Sequence, residues 1–78
     1  ADTLGWVYYK KNAYLLAVSL LKEATDKLPN EPLAYYHLGM AQAKTNDATA
    51  AKHSLQTALR LNAHFPGADE ARKTMEKL

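Results

Sequence analysis

Residues 32–58 read PLAYYHLGMAQAKTNDATAAKHSLQTA, and the rest of the chain repeats or closes this stretch. A shift of 34 residues brings nine positions into identity, seven of them within a helical pattern. Self-similarity at a fixed period is typical of repeat proteins, in which short units stack on one another. The matched pairs are Leu4 and Leu38, Gly5 and Gly39, Lys10 and Lys44, Asn12 and Asn46, Ala17 and Ala51, Leu21 and Leu55, Ala24 and Ala58, Pro32 and Pro66, and Ala34 and Ala68.

The spacing of the apolar residues predicts an all-α chain of five helices. Asn12 and Asn46 are expected in the two tight turns, because Asn tolerates the left-handed backbone that ends helices. Pro32 suits the first turn of a helix, where its missing N–H is no loss. Asp47 can accept hydrogen bonds from the free amides that open the next helix. The predicted helices cover residues 1–11, 13–27, 32–45, 48–61 and 67–77.

The last predicted helix is expected to close the array rather than to begin a third repeat. Arg72 and Lys73 stand where a third copy would need Leu-Gly. Asn62 is predicted to end the fourth helix, and Phe65 to pack under the connection that follows. A terminal unit needs a polar outer face, which is supplied here by Asp69, Glu70, Arg72, Lys73, Glu76 and Lys77.

The spacing Tyr35-x2-Leu38-Gly39, Ala51-x3-Leu55 and Ala58 resembles a tetratricopeptide (TPR) repeat, which has the same 34-residue period. The first copy has the same pattern from Leu4, and the resemblance covers residues 1–65. Departures from the family pattern are Gln42 in place of Tyr, Leu21 and Leu55 in place of an aromatic residue, and Ala63 in place of the closing Pro.

This resemblance implies a single TPR domain over residues 1–78, folded as an α-α superhelix. Residues 1–31 would be a first repeat that lacks its opening residues, 32–65 a second repeat, and 66–78 a capping helix. Because the first helix begins within the pattern, we expect the chain to be the C-terminal part of a longer TPR solenoid. The segment TLGWVYYKK at 3–11 is similar to late repeats of bacterial TPR proteins, including some linked to export.

The family also implies a protein-interaction role, with the first helix of each repeat lining a concave groove. At about 100° per residue, one side of each such helix lies opposite its Leu-Gly pair. The predicted groove residues are Asp2, Trp6, Tyr9, Lys10, Tyr36, Met40, Ala43 and Lys44. An aromatic, Met-containing strip edged by lysines suits an extended or helical peptide with apolar anchors.

Two alternatives to groove binding stay open. Trp6 or Met40 could simply pack against a neighbouring repeat. The chain could also self-associate, because a repeat without an upstream neighbour exposes apolar surface, expected around Val7, Trp6 and Tyr14. A Lys/Asn clamp for acidic C-terminal tails is not favoured. The matching places hold Asp2, Trp6, Tyr36 and Met40, and only Lys10 and Lys44 are retained.

Catalysis, metal binding and nucleic-acid binding are not favoured. His37, His53 and His64 have no ligand partners at helical spacing and are interpreted as surface residues. No nucleophile and base can be paired from spacing, so we predict neither an enzyme nor a cofactor. The net charge is only +2, with the lysines spread along the chain, which argues against nucleic acid. No apolar run is long enough to predict a membrane span, and the compartment is not indicated.

Overall fold

A computed structural model describes residues 2–78, with side chains described from Leu4 onward. The predicted helix start at Ala1 therefore lies outside the described residues. The described part contains five α-helices and no strand, which confirms the all-α prediction. The helices are α1 (Asp2–Lys10), α2 (Tyr14–Lys27), α3 (Pro32–Lys44), α4 (Ala48–Leu61) and α5 (Ala68–Lys77). The division into repeats at residues 32 and 66 stays a prediction.

The two tight turns form as the sequence predicts. Asn12 and Asn46 have φ of 66° and 63°, so both adopt the left-handed conformation. Asp47 precedes α4, and its side chain accepts a hydrogen bond of 3.3 Å from the Ala50 amide. Asp47 thus satisfies one of the free amides at the start of that helix.

At the two longer connections, local hydrogen bonds and a proline also determine where helices end and begin. Pro32 is in the first turn of α3, and the Glu31 side chain before it accepts a hydrogen bond from the Leu33 amide. Asn62 ends α4 in an extended rather than left-handed conformation. Its side-chain oxygen accepts a hydrogen bond of 2.9 Å from the His64 amide.

Within each helix pair, a glycine allows the two helices to approach closely. A Cβ atom added to Gly5 would lie 2.6 Å from Leu21 Cγ, and one added to Gly39 would lie 2.7 Å from Leu55 Cδ2. Leu21 and Leu55 are the largest fully buried side chains. The space beside each glycine is therefore filled by the leucine of the next helix. This contact offsets the loss of helix stability that a glycine inside a helix causes.

The core continues from one helix pair to the next. Leu38 and Ala41 of α3 pack in one cluster with Ala17 and Leu21 of α2. A second cluster joins α4 to α5 and contains Phe65, which is buried as predicted. Since each helix pair packs on the next, the chain forms the helical-repeat stack expected of an α-α superhelix.

Candidate functional site

Three helices, α1, α3 and α5, line one side of the molecule and enclose a cleft of about 360 Å³. The central helix α3 contacts both of the others. The cleft is lined by Tyr9 from α1, by Met40, Ala43 and Lys44 from α3, and by Glu70, Thr74, Lys77 and Leu78 from α5. It is thus a concave surface built from the three helices that occupy equivalent places in the stack.

Half of the predicted groove residues line this cleft. Tyr9, Met40, Ala43 and Lys44 lie together there, and their role in binding a partner stays a prediction. Met40 and Ala43 are half-buried and Lys44 is exposed, so the α3 wall changes from apolar to charged along its length. A contact between Thr74 Oγ1 and Met40 Sδ of 3.4 Å links the α5 and α3 walls.

The sequence pattern did not lead us to predict that α5 lines the cleft, although the 34-residue period relates its lining residues to those of α3. Glu70, Thr74, Lys77 and Leu78 lie 34 positions after Tyr36, Met40, Ala43 and Lys44. None of these pairs is identical, and α5 was interpreted only as a cap. The 34-residue period that relates α1 to α3 therefore also relates α3 to α5, which forms the third wall of the cleft.

Trp6 does not line the cleft but joins α1 to α3. Its indole ring stacks on Tyr9, with ring centroids 4.4 Å apart, and on His37, with centroids 4.0 Å apart. Lys10 Nζ lies 5.4 Å from the indole centroid, within the range of a cation–π contact. These contacts engage Trp6 within the chain, so its first contribution is to hold the two helices of the groove together.

Tyr36 also packs inside the chain. Its ring lies against Phe65, with centroids 5.3 Å apart, and against the backbone of Gly67. Gly67 has φ of 108° and is the N-cap residue before α5, and an added Cβ would lie 2.7 Å from the Tyr36 ring. Tyr36 therefore positions α5 beside α3. The side chain of the remaining predicted groove residue, Asp2, lies outside the described residues.

The electrostatics of the cleft come from its lysines and from Glu70. Burial raises the pKa of the Tyr9 hydroxyl, and the neighbouring Tyr14 and Tyr36 raise it further. Burial also raises the pKa of Tyr36, with an added effect from the negative charge of Glu70. Both phenols are therefore neutral at physiological pH, and the charged side chains lining the cleft are Lys44, Lys77 and Glu70.

The histidines differ from one another. His53 and His64 are exposed, as predicted. His37 is half-buried and stacked on Trp6, which corrects its interpretation as a surface residue. Among the described side chains, no group of three or more His, Asp or Glu residues is placed to hold a metal ion.

An exposed apolar surface lies on the first helix pair. Its members are Leu4, Val7, Leu15 and Leu16, each more than a third exposed. This apolar surface differs from the predicted set, because Trp6 and Tyr14 are half-buried in ring contacts. Beside Leu15 and Leu16, a more open cleft of about 590 Å³ is lined by Asn12, Ala13, Tyr14, Lys44 and Thr45.

The successive helix pairs and the groove along α1, α3 and α5 define an all-α helical-repeat protein. Residues 33–65 match the family model for the tetratricopeptide repeat. This segment is therefore a tetratricopeptide repeat, and together with the five packed helices it supports a TPR-type protein. No curated protein and no solved structure matches the chain.

The repeat indicates a protein–protein interaction module, and TPR proteins are in general not enzymes. In residues 2–78, no helix has both the length and the apolar character needed to cross a membrane.

Proposed function

We propose that this chain binds a segment of another protein in the cleft between α1, α3 and α5. The observation that carries the proposal is the meeting of Tyr9, Met40 and Lys44 with residues of α5 around one concave surface. Ligand sites in proteins are concave, and peptide grooves combine apolar anchor pockets with a polar rim. The cleft has both kinds of lining. Its apolar part consists of Tyr9, Met40, Ala43 and Leu78, and its charged part of two lysines and one glutamate.

The proposed roles of the predicted residues follow from their contacts. Met40 and Ala43 form the apolar floor, and Tyr9 forms the α1 side. Trp6, Lys10 and Tyr36 act indirectly, because their ring contacts fix the spacing of α1, α3 and α5. A partner side chain in the cleft would therefore meet a preformed surface, which reduces the entropy lost on binding.

The test is selection of a random peptide library on the intact chain, followed by affinity measurement on Ala43→Gln. Gln at position 43 would fill the cleft floor without adding charge and at little cost in helix propensity. We expect it to reduce the affinity for the selected peptides about tenfold or more, as loss of a central contact does.

Ala48→Gln is the matched control, because Ala48 is an exposed residue of α4 that does not line the cleft. Peptides that bind Ala43→Gln as tightly as the unchanged chain would place binding elsewhere and contradict the proposal. An equal loss of affinity in Ala48→Gln would contradict it in the same way.

A second candidate function is self-association through the exposed apolar surface of the first helix pair. The exposure of Leu4 and Val7 favours this function, because the equivalent residues of α3, Leu38 and Ala41, are buried. Light scattering over a concentration series should then show a dimer that dissociates in Val7→Glu. Gln56→Glu adds the same charge on exposed α4 and should leave the dimer intact. A monomer at every concentration would remove this candidate.

A further inference from the structure

The floor of the cleft can accept a single apolar side chain. Met40 and Leu78 are half-buried, and both also pack against the core cluster that contains Phe65. Thr74 Oγ1 contacts Met40 Sδ and links its helix to α5. The volume of about 360 Å³ is at the lower end of the range for ligand pockets, roughly 300–1,000 Å³. It therefore suits one anchor residue and the backbone beside it rather than a whole helix.

The charges around the cleft are separated along α5. Glu70 is in the first turn of α5 and Lys77 in the last. Seven residues of α-helix place them about 10 Å apart along the axis. Lys44 lies 34 positions before Leu78, the neighbour of Lys77, and so the repeat register places both lysines at the same end. One end of the cleft is thus cationic, and the other carries Glu70.

This charge pattern discriminates between possible partners. A carboxylate beside the anchor residue would meet Lys44 and Lys77, both of which are exposed and line the cleft. A lysine or arginine at the same place would meet two like charges, which lowers affinity and suppresses wrong partners. The arrangement shares Lys44 with the Lys/Asn clamp considered above, but its second cation is Lys77 and no Asn is among the described residues that line the cleft.

We infer that the cleft recognises a protein segment in which an apolar anchor residue is followed or preceded by Asp or Glu, with Lys44 and Lys77 holding the carboxylate. The anchor occupies the floor formed by Met40, Ala43 and Leu78. Tyr9 covers the α1 side of the anchor. This inference rests on the proposed function, because it specifies the partner of the same cleft.

The test repeats the random-library selection on the intact chain and on two double variants. Lys44→Glu/Lys77→Glu reverses the charge at the cleft. Lys22→Glu/Lys52→Glu makes the same change in net charge on exposed positions of α2 and α4. Peptides selected on the unchanged chain and on the control should be enriched in Asp or Glu next to an apolar residue. On the cleft variant this enrichment should disappear, and the acidic peptides should bind about tenfold more weakly.

Lys77→Glu alone is needed as well, because Lys44 also borders the open cleft beside Leu15. Of these two clefts, Lys77 lines only the one between α1, α3 and α5. A loss of affinity for acidic peptides in Lys77→Glu therefore assigns the effect to the groove, and an unchanged affinity overturns the inference.

The outcomes separate this inference from the proposed function. The unchanged chain could select peptides with neutral or basic residues beside the anchor, whose affinity Ala43→Gln still lowers. That result would overturn the acidic preference and leave groove binding in place. Peptides that Ala43→Gln does not weaken would overturn groove binding, and the inference with it. If the control variant Lys22→Glu/Lys52→Glu loses the enrichment in Asp and Glu to the same extent, the effect is one of general charge, and the inference is overturned.

Discussion

The helix pairs α1–α2 and α3–α4 have the same motif, but their first helices have very different surroundings. Leu38 is 5% exposed and Ala41 is fully buried, whereas Leu4 and Val7, at the same repeat positions, are 50% and 41% exposed. In α3 this face packs on Ala17 and Leu21 of α2, and among the described residues nothing equivalent packs on α1. Burial of the motif leucine therefore depends on the neighbouring pair and not on the motif itself.

The interiors of the two pairs differ as well. In the second pair, Ser54 Oγ donates a buried hydrogen bond of 2.6 Å to Gln42 Oε1. The same repeat positions in the first pair hold Tyr8 and Leu20, which are half-buried. One motif thus accepts either a polar or a more apolar interior, provided that the polar version satisfies its hydrogen bonds.

The largest expected difference between the two pairs is in the cost of removing the motif leucine. Leu38→Ala should lower the free energy of unfolding by about 3 kcal/mol, because it leaves a cavity between α2 and α3. Leu4→Ala should lower it by less than about 1 kcal/mol, because half of the side chain is already in water. Urea unfolding followed by circular dichroism measures both.

If Leu4→Ala and Leu38→Ala lower the free energy of unfolding equally, the face of α1 that carries Leu4 is covered in solution. Repeating the Leu4→Ala measurement at several protein concentrations identifies self-association as the cause, since only an intermolecular contact makes the stability concentration-dependent.

A smaller effect is expected from the buried polar pair of the second helix pair. Ser54→Ala should cost about 1–2 kcal/mol, because the oxygen of Gln42 then stays buried without this donor. Removing both partners in Gln42→Met/Ser54→Ala should recover most of that loss, since the first helix pair shows that the stack tolerates a more apolar version. A double variant less stable than Ser54→Ala alone would show that Gln42 has another stabilising contact.

The sequence predicted those parts of the fold that depend on local chemistry or on the repeat period. The left-handed Asn12 and Asn46, the N-cap Asp47 and the paired glycines each need one residue type at one place. Tyr9, Met40, Ala43 and Lys44, four of the eight predicted groove residues, line one cleft, and their role in binding a partner stays a prediction.

The sequence did not predict contacts that depend on how side chains from different helices meet. The stacking of Trp6 on His37 joins residues 31 positions apart, which the 34-residue period does not relate. The exposure of Leu4 depends on what covers α1, which its own pattern does not encode. The α5 wall of the cleft was missed for another reason, since its residues match the repeat in position but not in identity.

The smallest expected effect compares the starts of α2 and α4. Ala13 and Asp47 both precede a helix with nearly the same backbone, φ and ψ of −90° and 68° against −98° and 73°. Only Asp47 provides a side-chain cap. Asp47→Ala should therefore cost about 1 kcal/mol, and Ala13→Asp should add up to about 1 kcal/mol. The double variant, compared with each single one by thermal unfolding, tests whether the two turns are interchangeable. A loss of stability on Ala13→Asp would show that the α1–α2 turn needs an apolar residue where the α3–α4 turn does not.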